Sequence, residues 1–273
     1  MGSHIEVGDV RLWHELTGDG EPVIQIHGAG FGHHNFAPAT PILSERFRCI
    51  DYDMRGYGDS DRPEQHYEMQ VWADDAAALL DALEVDRAHV HGTSMGGMIA
   101  IVLAATHPEK VRSVVINCAA AKLGLSGQLI FRNWIDLARL EGPGSRTLAE
   151  LISWQALSRE YLETEQGRAG IDVIQQILRD SNSTPVFSAA CQAMIDMDIR
   201  DHVGRIEAPA LVLGGDQDVM TPWDQGPEGA GQQWIADHLP NGEAHVIRGS
   251  NHSTIFDNTD EHCRAVMAFF EQH

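Results

Sequence analysis

The sequence predicts an α/β fold: a mostly parallel central sheet with helices on both faces, interrupted once by a helical insert. Short, nearly continuous apolar runs of strand length alternate with helical stretches from Val10 to Asn117, and again from Ala210 to the C-terminus. Between Ala119 and about Ile206 the strand-like runs stop and helical spacing takes over. At 273 residues the chain is long enough for one large α/β domain with an insertion. The expected boundaries are 1–118 and 207–273 for the core and 119–206 for a lid.

The elements follow from local pattern. No element is drawn from Met1-Gly2-Ser3-His4. Val10 to Leu16 alternates as a strand, and Thr17-Gly18-Asp19-Gly20 reads as the turn of a hairpin. Pro22 to His27 is a short apolar strand running into the glycine-rich loop Gly28-Ala29-Gly30-Phe31-Gly32. Phe47 to Asp51 is another strand. Val71 to Leu83 has helical spacing, with Val71, Leu79, Leu80 and Leu83 on one apolar face. A strand at Ala88 to His91, a small-residue helix from Met95 to His107 and a strand at Val111 to Asn117 come next. In the insert, Ile130, Trp134 and Leu137 share one face and Ile171, Ile174 and Leu178 another, while Pro143 and Pro185 divide the helices. A strand at Ala210 to Leu213, a helix at Gln232 to Leu239, a strand at Ala244 to Ile247 and a helix from Asp260 to Gln272 complete the chain.

Forty acidic residues against 19 basic ones give a formal net charge of −21. Such a surface repels phosphate backbones and anionic lipid, so nucleic-acid and membrane-surface roles are not expected. No apolar run has the length of a membrane helix, and the N-terminal stretch carries Glu6, Asp9, Arg11 and His14 where a signal peptide needs apolar residues. The four cysteines are far apart, without a Cys-x-x-Cys pair, which suits a reducing, cytoplasmic location. His33-His34 and His89-x-His91 have no further ligands at metal-site spacing, and the glycine-rich loop is not Gly-x-Gly-x-x-Gly opening a helix. Neither a metal nor a dinucleotide, nor any other cofactor, is expected.

The chemistry is concentrated in Gly92-Thr93-Ser94-Met95-Gly96, at the junction of a buried strand and a helix. A turn this tight has room for little beyond glycine beside the serine. It lifts the Ser94 hydroxyl above the sheet and leaves the Met95 N–H at a helix N-terminus, facing developing negative charge. A serine hydroxyl needs a base. His252, in the loop after the last strand and before the closing helix, lies at the strand ends where α/β sheets place their sites. That base needs an acid to orient it. Asp216 and Asp218 both follow the strand Ala210 to Leu213, and chemistry alone does not separate them. A second oxyanion donor is expected from Ala29 N–H, in a loop whose glycines let the backbone approach substrate.

These motifs resemble the α/β-hydrolase superfamily, in its serine-nucleophile branch. His27-Gly28-Ala29-Gly30 resembles the family's oxyanion loop, Asp53-Met54-Arg55-Gly56-Tyr57-Gly58-Asp59-Ser60 its Asp-x-x-Gly-x-Gly-x-Ser turn, and Gly92 to Gly97 its elbow. The family's Gly-x-x-Asp-x-x-x-Pro falls on Gly215, Asp218 and Pro222, which selects Asp218, and the chain order Ser94, Asp218, His252 is that of the family. The insert and Asp198-Ile199-Arg200 resemble, loosely, 3-oxoadipate enol-lactonases and esterases. The resemblance implies an α/β-hydrolase fold and hydrolysis of a carboxylic ester or lactone through an acyl-enzyme. A carbon–carbon bond hydrolase of ring-cleavage products and a non-catalytic receptor are the alternatives on this scaffold. Phe31, Phe131, Trp134, Trp154, Phe187, Met194 and Met197 are the candidate walls of an apolar substrate pocket. An anionic substrate would need a lid arginine such as Arg132 or Arg139. The expected partner is a small apolar or aromatic ester or lactone, with a homodimer as the one protein assembly considered.

Overall fold

The computed structural model describes residues 2–273. Eight strands form one sheet: β1 (Ser3–Val7), β2 (Val10–Thr17), β3 (Glu21–Ile26), β4 (Phe47–Tyr52), β5 (Ala88–Thr93), β6 (Val111–Asn117), β7 (Ala210–Gly215) and β8 (Gly242–Ile247). Their spatial order is β1-β2-β4-β3-β5-β6-β7-β8. β1 and β2 run antiparallel to their neighbours, and every other pairing is parallel. The α/β-hydrolase fold is thus present, with the mostly apolar strands β3 to β7 largely buried on both faces and the edge strand β8 largely exposed.

Twelve α-helices are described: α1 (Thr40–Leu43), α2 (Met69–Ala82), α3 (Met95–Thr106), α4 (Leu125–Glu141), α5 (Arg146–Ala156), α6 (Arg159–Leu162), α7 (Glu165–Ser181), α8 (Thr184–Asp196), α9 (Arg200–Val203), α10 (Gln232–His238), α11 (Thr254–Asp257) and α12 (Thr259–Phe270). Two apolar clusters separate the sheet faces. One joins α2, α3, α10 and the inserted helices, and the other packs α1 and α12 on Val23, Cys49, Val115, Leu211 and Ile247. α3 is buried from Met95 to Ala105, and its small residues let it lie between the sheet and the insert. Six helices, α4 to α9, occupy the stretch between β6 and β7. Pro143 separates α4 from α5, and Pro185 stands in the first turn of α8, where its missing N–H costs no helical bond.

Three expectations change. Ser3 and His4 belong to β1, which pairs in register from Ser3 with His14 to Val7 with Val10, so the true N-terminal hairpin turns at Gly8-Asp9. Thr17-Gly18-Asp19-Gly20 does not close a hairpin, because β2 and β3 flank β4 instead of pairing with each other. The glycines are needed for passage: Gly18 and Gly20 have φ of +83° and +123°, and a Cβ at either would lie 2.4–2.5 Å from the carbonyl oxygens of Phe47 or Arg46. On α2 the buried face is Met69, Trp72, Ala73, Ala76, Leu79 and Leu80, one position turned from a face built on Val71 and Leu83. Trp72 outweighs Val71 in apolar area, and its indole N–H finds the carbonyl of Arg55 at 3.0 Å. All four cysteines are buried and free.

Candidate active site

The elbow is strained where its chemistry requires it. Ser94 has φ 56° and ψ −122°, a region that costs a non-glycine residue about 1–3 kcal/mol. The glycines around it are fixed by contact distance. A Cβ on Gly92 would lie 2.3 Å from the Gly96 carbonyl oxygen, and one on Gly96 would lie 1.9 Å from that of Ile26. The Ser94 N–H donates to the Asn117 carbonyl at 2.8 Å, which fastens the turn to the end of β6.

His252 Nε2 lies 2.9 Å from Ser94 Oγ, and His252 Nδ1 lies 3.1 Å from both oxygens of Asp218. The structure therefore brings together the three residues selected from the motifs. Asp218 is buried and multiply held: Met220 N–H, Thr221 N–H, Thr221 Oγ1 and Gln232 Nε2 donate to it at 2.8–3.1 Å. Burial alone would raise its carboxyl, but the His252 charge and these donors hold it below the ordinary carboxylate range. Asp216 is exposed and accepts the Gly249 N–H at 2.8 Å, which braces the loop without touching His252.

The glycine-rich loop expected to supply the oxyanion donor is braced by Asn35, which the motifs did not reveal. Its Oδ1 accepts the Gly28 N–H at 2.7 Å. That spends the first N–H of the loop on structure and leaves Ala29 N–H next in line. Met95, the first residue of α3, has no carbonyl four residues back within its own helix to occupy its N–H. His27 is structural: Nδ1 donates to the Gly28 carbonyl at 2.8 Å and Nε2 accepts the Met54 N–H at 3.1 Å, which fixes a neutral tautomer. Burial pushes its pKa down to about 4, in agreement. Asp53 anchors the following turn by accepting the N–H groups of His33 and Asp59 at 2.7 and 2.9 Å.

The loop carrying His252 is tied to both sides of the site. Asn251 Oδ1 accepts the N–H groups of His252 and Val219, and its amide donates to the Leu157 carbonyl. Ser253 N–H donates to the Ala156 carbonyl at 2.8 Å. Asp257 accepts the N–H groups of Ser158 and Asn251. A buried polar chain runs on beneath: Thr93 Oγ1 to Asn117, Asn117 to Thr254, Thr254 to His262, and His262 Nε2 to His91 Nε2 at 3.1 Å. Asparagine and aspartate side chains of this kind have no periodic signature, so only the fold exposes them.

Above Ser94 lies a cavity of about 30 Å³, walled in part by Phe31, Asn35, Trp134, Ile152, Ala156 and Met220. Of the pocket residues expected from sequence, Phe31 and Trp134 line it. Trp134 is oriented by a hydrogen bond from its indole to Gln155 Oε1 at 2.8 Å. The others need correction. Trp154 is 69% exposed on the outside of α5, because it sits two residues from Ile152 on a helix and therefore points away. Phe131, Phe187 and Met194 are fully buried between the inserted helices. Phe187 does press on the oxyanion loop from behind, 3.2 Å from where a Cβ on Gly30 would be. Met197 lines a separate depression with His66 and Tyr67. Arg132 bonds to Gln128 on the surface, and Arg139 borders another surface depression with Gln65 and Pro185, so neither reaches Ser94.

Among the described residues, the one grouping of Cys, His and acid at metal-ligand distance is Cys118 with Asp218 and His252. Asp218 and His252 are spent on the hydrogen bonds above, and burial pushes the Cys118 thiol well up, away from the thiolate that a metal needs. His33 stacks on Trp13 and bonds Asp53, and His89 bonds Ser113 and Glu21. No helix is long and apolar enough to cross a membrane among the described residues.

The sequence pattern of the alpha/beta hydrolase fold family matches residues 21–143. The chain is 40% identical over 278 residues to a 2-hydroxymuconate semialdehyde hydrolase from a Pseudomonas species, covering 100% of this chain and 94% of that one. It is 31% identical over 236 residues to an AB hydrolase superfamily protein of Bacillus subtilis, covering 82% and 84%. The enol-lactonase of Burkholderia xenovorans superposes with a TM-score of 0.88 at 23% identity, covering 98% and 100%. With the motifs in family order, the elbow strained as described and a full-length relative at this identity, the chain belongs to the α/β-hydrolase family.

Proposed function

We propose that this hydrolase cleaves a neutral carboxylic ester or lactone through an acyl-enzyme. The carrying observation is the unbroken hydrogen-bonded line Ser94–His252–Asp218 beneath a cavity that no Lys or Arg lines among the described residues. Ser94 Oγ attacks the carbonyl carbon and gives its proton to His252 Nε2. The His252 Nδ1–H donates to Asp218, which stabilises the imidazolium. The N–H groups of Ala29 and Met95 receive the oxyanion. The imidazolium passes its proton to the departing oxygen, and the acyl-enzyme forms. Water then attacks, His252 takes its proton, and the acid leaves as Ser94 is restored. No step calls for a cofactor. The intact line Ser94–His252–Asp218 argues against a receptor.

Carbon–carbon bond hydrolysis is the second reading, favoured by the 40% identity to the semialdehyde hydrolase. Against it, a carboxylate-bearing substrate would be buried at this site without a cationic partner, a costly arrangement. Acid release by pH-stat on lactones and matched linear esters, beside the decay of a ring-cleavage product, separates the two. Ser94→Ala is expected to lower ester or lactone turnover by roughly 10⁵-fold or more. Turnover of the ring-cleavage product alone would transfer the assignment to the second reading, and near wild-type rates in Ser94→Ala would overturn both.

A further inference from the structure

A second cavity, of about 280 Å³, adjoins the small one over Ser94, and the two share Phe31, Ala156 and Ser253 as walls. Its far side is one face of α7: Gln166, Ala169, Gly170, Val173, Ile174 and Ile177 fall at helical spacing. This stripe is distinct from Leu178, which turns into the lid core, and it leaves Val173 57% exposed. From residue 166 to residue 177 the groove extends about 16 Å at the rise of an α-helix.

Its position relative to the triad says which part of a substrate it meets. The cavity over Ser94, about 30 Å³, is much the smaller of the two, which suits it to the smaller, acyl part of the substrate and the groove to the larger part. The departing oxygen receives its proton from His252, and Ser253, the next residue, is shared wall. The Ser253–Ala156 hydrogen bond holds that wall in place. A substituent on the departing oxygen therefore leaves the catalytic pocket past Ser253 and Ala156 and lies along the apolar face of α7.

We infer that the groove between α7 and the Phe31–Pro38 segment binds the alcohol portion of the substrate, making this a hydrolase of short-acyl esters of long, straight-chain apolar alcohols. The inference rests on the ester reading above and names its substrate class. Gly170 supplies the means to test it. A Cβ there meets nothing within 4 Å and its φ is not in the left-handed range, so a large side chain enters the groove without strain.

The test is kcat/KM for acetates of lengthening alcohols, methyl to hexyl, and for methyl esters of lengthening acids, in wild type, Gly170→Ala and Gly170→Phe. In wild type the acetate series is expected to climb three- to fourfold per methylene while the methyl-ester series stays flat or falls. Gly170→Phe is expected to bring the hexyl-to-methyl ratio of the acetates close to 1, and Gly170→Ala to keep the climb. A climb in the acid series instead, or no dependence on length in either series, overturns the inference. If no ester is turned over, the ester reading fails by itself. Calorimetric binding of hexyl acetate to Ser94→Ala then decides the groove: binding abolished by adding Gly170→Phe supports it, and binding absent or unchanged overturns it.

Discussion

Asn35 shows how a residue that touches no reacting atom in the proposed chemistry sets its geometry. By accepting the Gly28 N–H at 2.7 Å it holds the glycine loop so that the next amide, Ala29, can face the carbonyl oxygen. Asn35→Ala leaves Gly28 N–H unpaired and the loop free to settle elsewhere. Kcat is expected to fall by about ten- to a hundredfold, with KM little changed, because the lost alignment matters only as charge develops. Asn35→Asp restores the acceptor but adds negative charge beside the oxyanion site, so it is not expected to rescue. Steady-state kinetics on one ester checks both variants, and a rise in KM at constant kcat would place Asn35 in substrate binding instead.

At the scale of elements, most of the site is held by side chains that connect loops rather than by the strands that present them. α7 ends on the oxyanion loop, with Asn182 Nδ2 donating to the Gly30 carbonyl at 2.8 Å. α5 ends on the histidine loop, where Asp257 and Asn251 bind the backbone of residues 157 and 158. The insert is thereby docked on both the glycine-rich loop and the loop that carries His252. Away from the site, Arg55 forks onto Asp75 of α2 at 2.6 and 2.7 Å and reaches Asp9 of the β1–β2 turn at 2.8 Å, with Arg55 and Asp75 both buried. Asp75→Ala strands the guanidinium in that interior with only Asp9 beside it. A loss of about 3–5 kcal/mol in unfolding free energy is expected, read as a lower urea midpoint at unchanged m. A midpoint within error of wild type would mean that water replaces the carboxylate there.

For the whole molecule, buried histidines govern the response to acid. Burial pushes His27 and His89 down to about 4 and His91 down to about 3, and it holds His262 well below its usual range beside His91. In the unfolded chain each titrates near 6.5. As pH falls from 6.5 toward 4 the unfolded state gains four protons that the folded state refuses, so stability drops, by at most about 1.4 kcal/mol per pH unit for each histidine. Asp51 acts in the opposite sense. Burial pushes it up to about 6, so between about 4 and 6 the folded state holds a proton that the unfolded state has released. Burial also raises Asp75 and Asp257, which act in the same sense, but the four depressed histidines outnumber these carboxyls and the net slope stays positive. Denaturant midpoints at pH 7.5, 6.5, 5.5 and 4.5 are expected to fall steadily below 6.5, and a flat profile would show that these histidines accept protons in the folded state.

The sheet was legible in sequence because buried parallel strands are mostly apolar, and the elbow because its turn excludes a Cβ at Gly92 and at Gly96. Both constraints act within a few residues of each other, so they leave local patterns. His252 was chosen on its place after the last strand and before the closing helix, and the helical spacing between residues 119 and 206 is likewise a local pattern. Which of Asp216 and Asp218 faces the base could be taken only from family resemblance, since both stand after one strand and differ in where their side chains point. The path of β2 past β4, the outward turn of Trp154 and the roles of Asn35, Asn251 and Asp257 were decided by tertiary structure alone. Each depends on a contact between segments far apart in the chain. The amino-acid order thus determines the strands, the helices and the chemistry they carry, while the shape of the pocket is set by packing between elements that know nothing of one another locally.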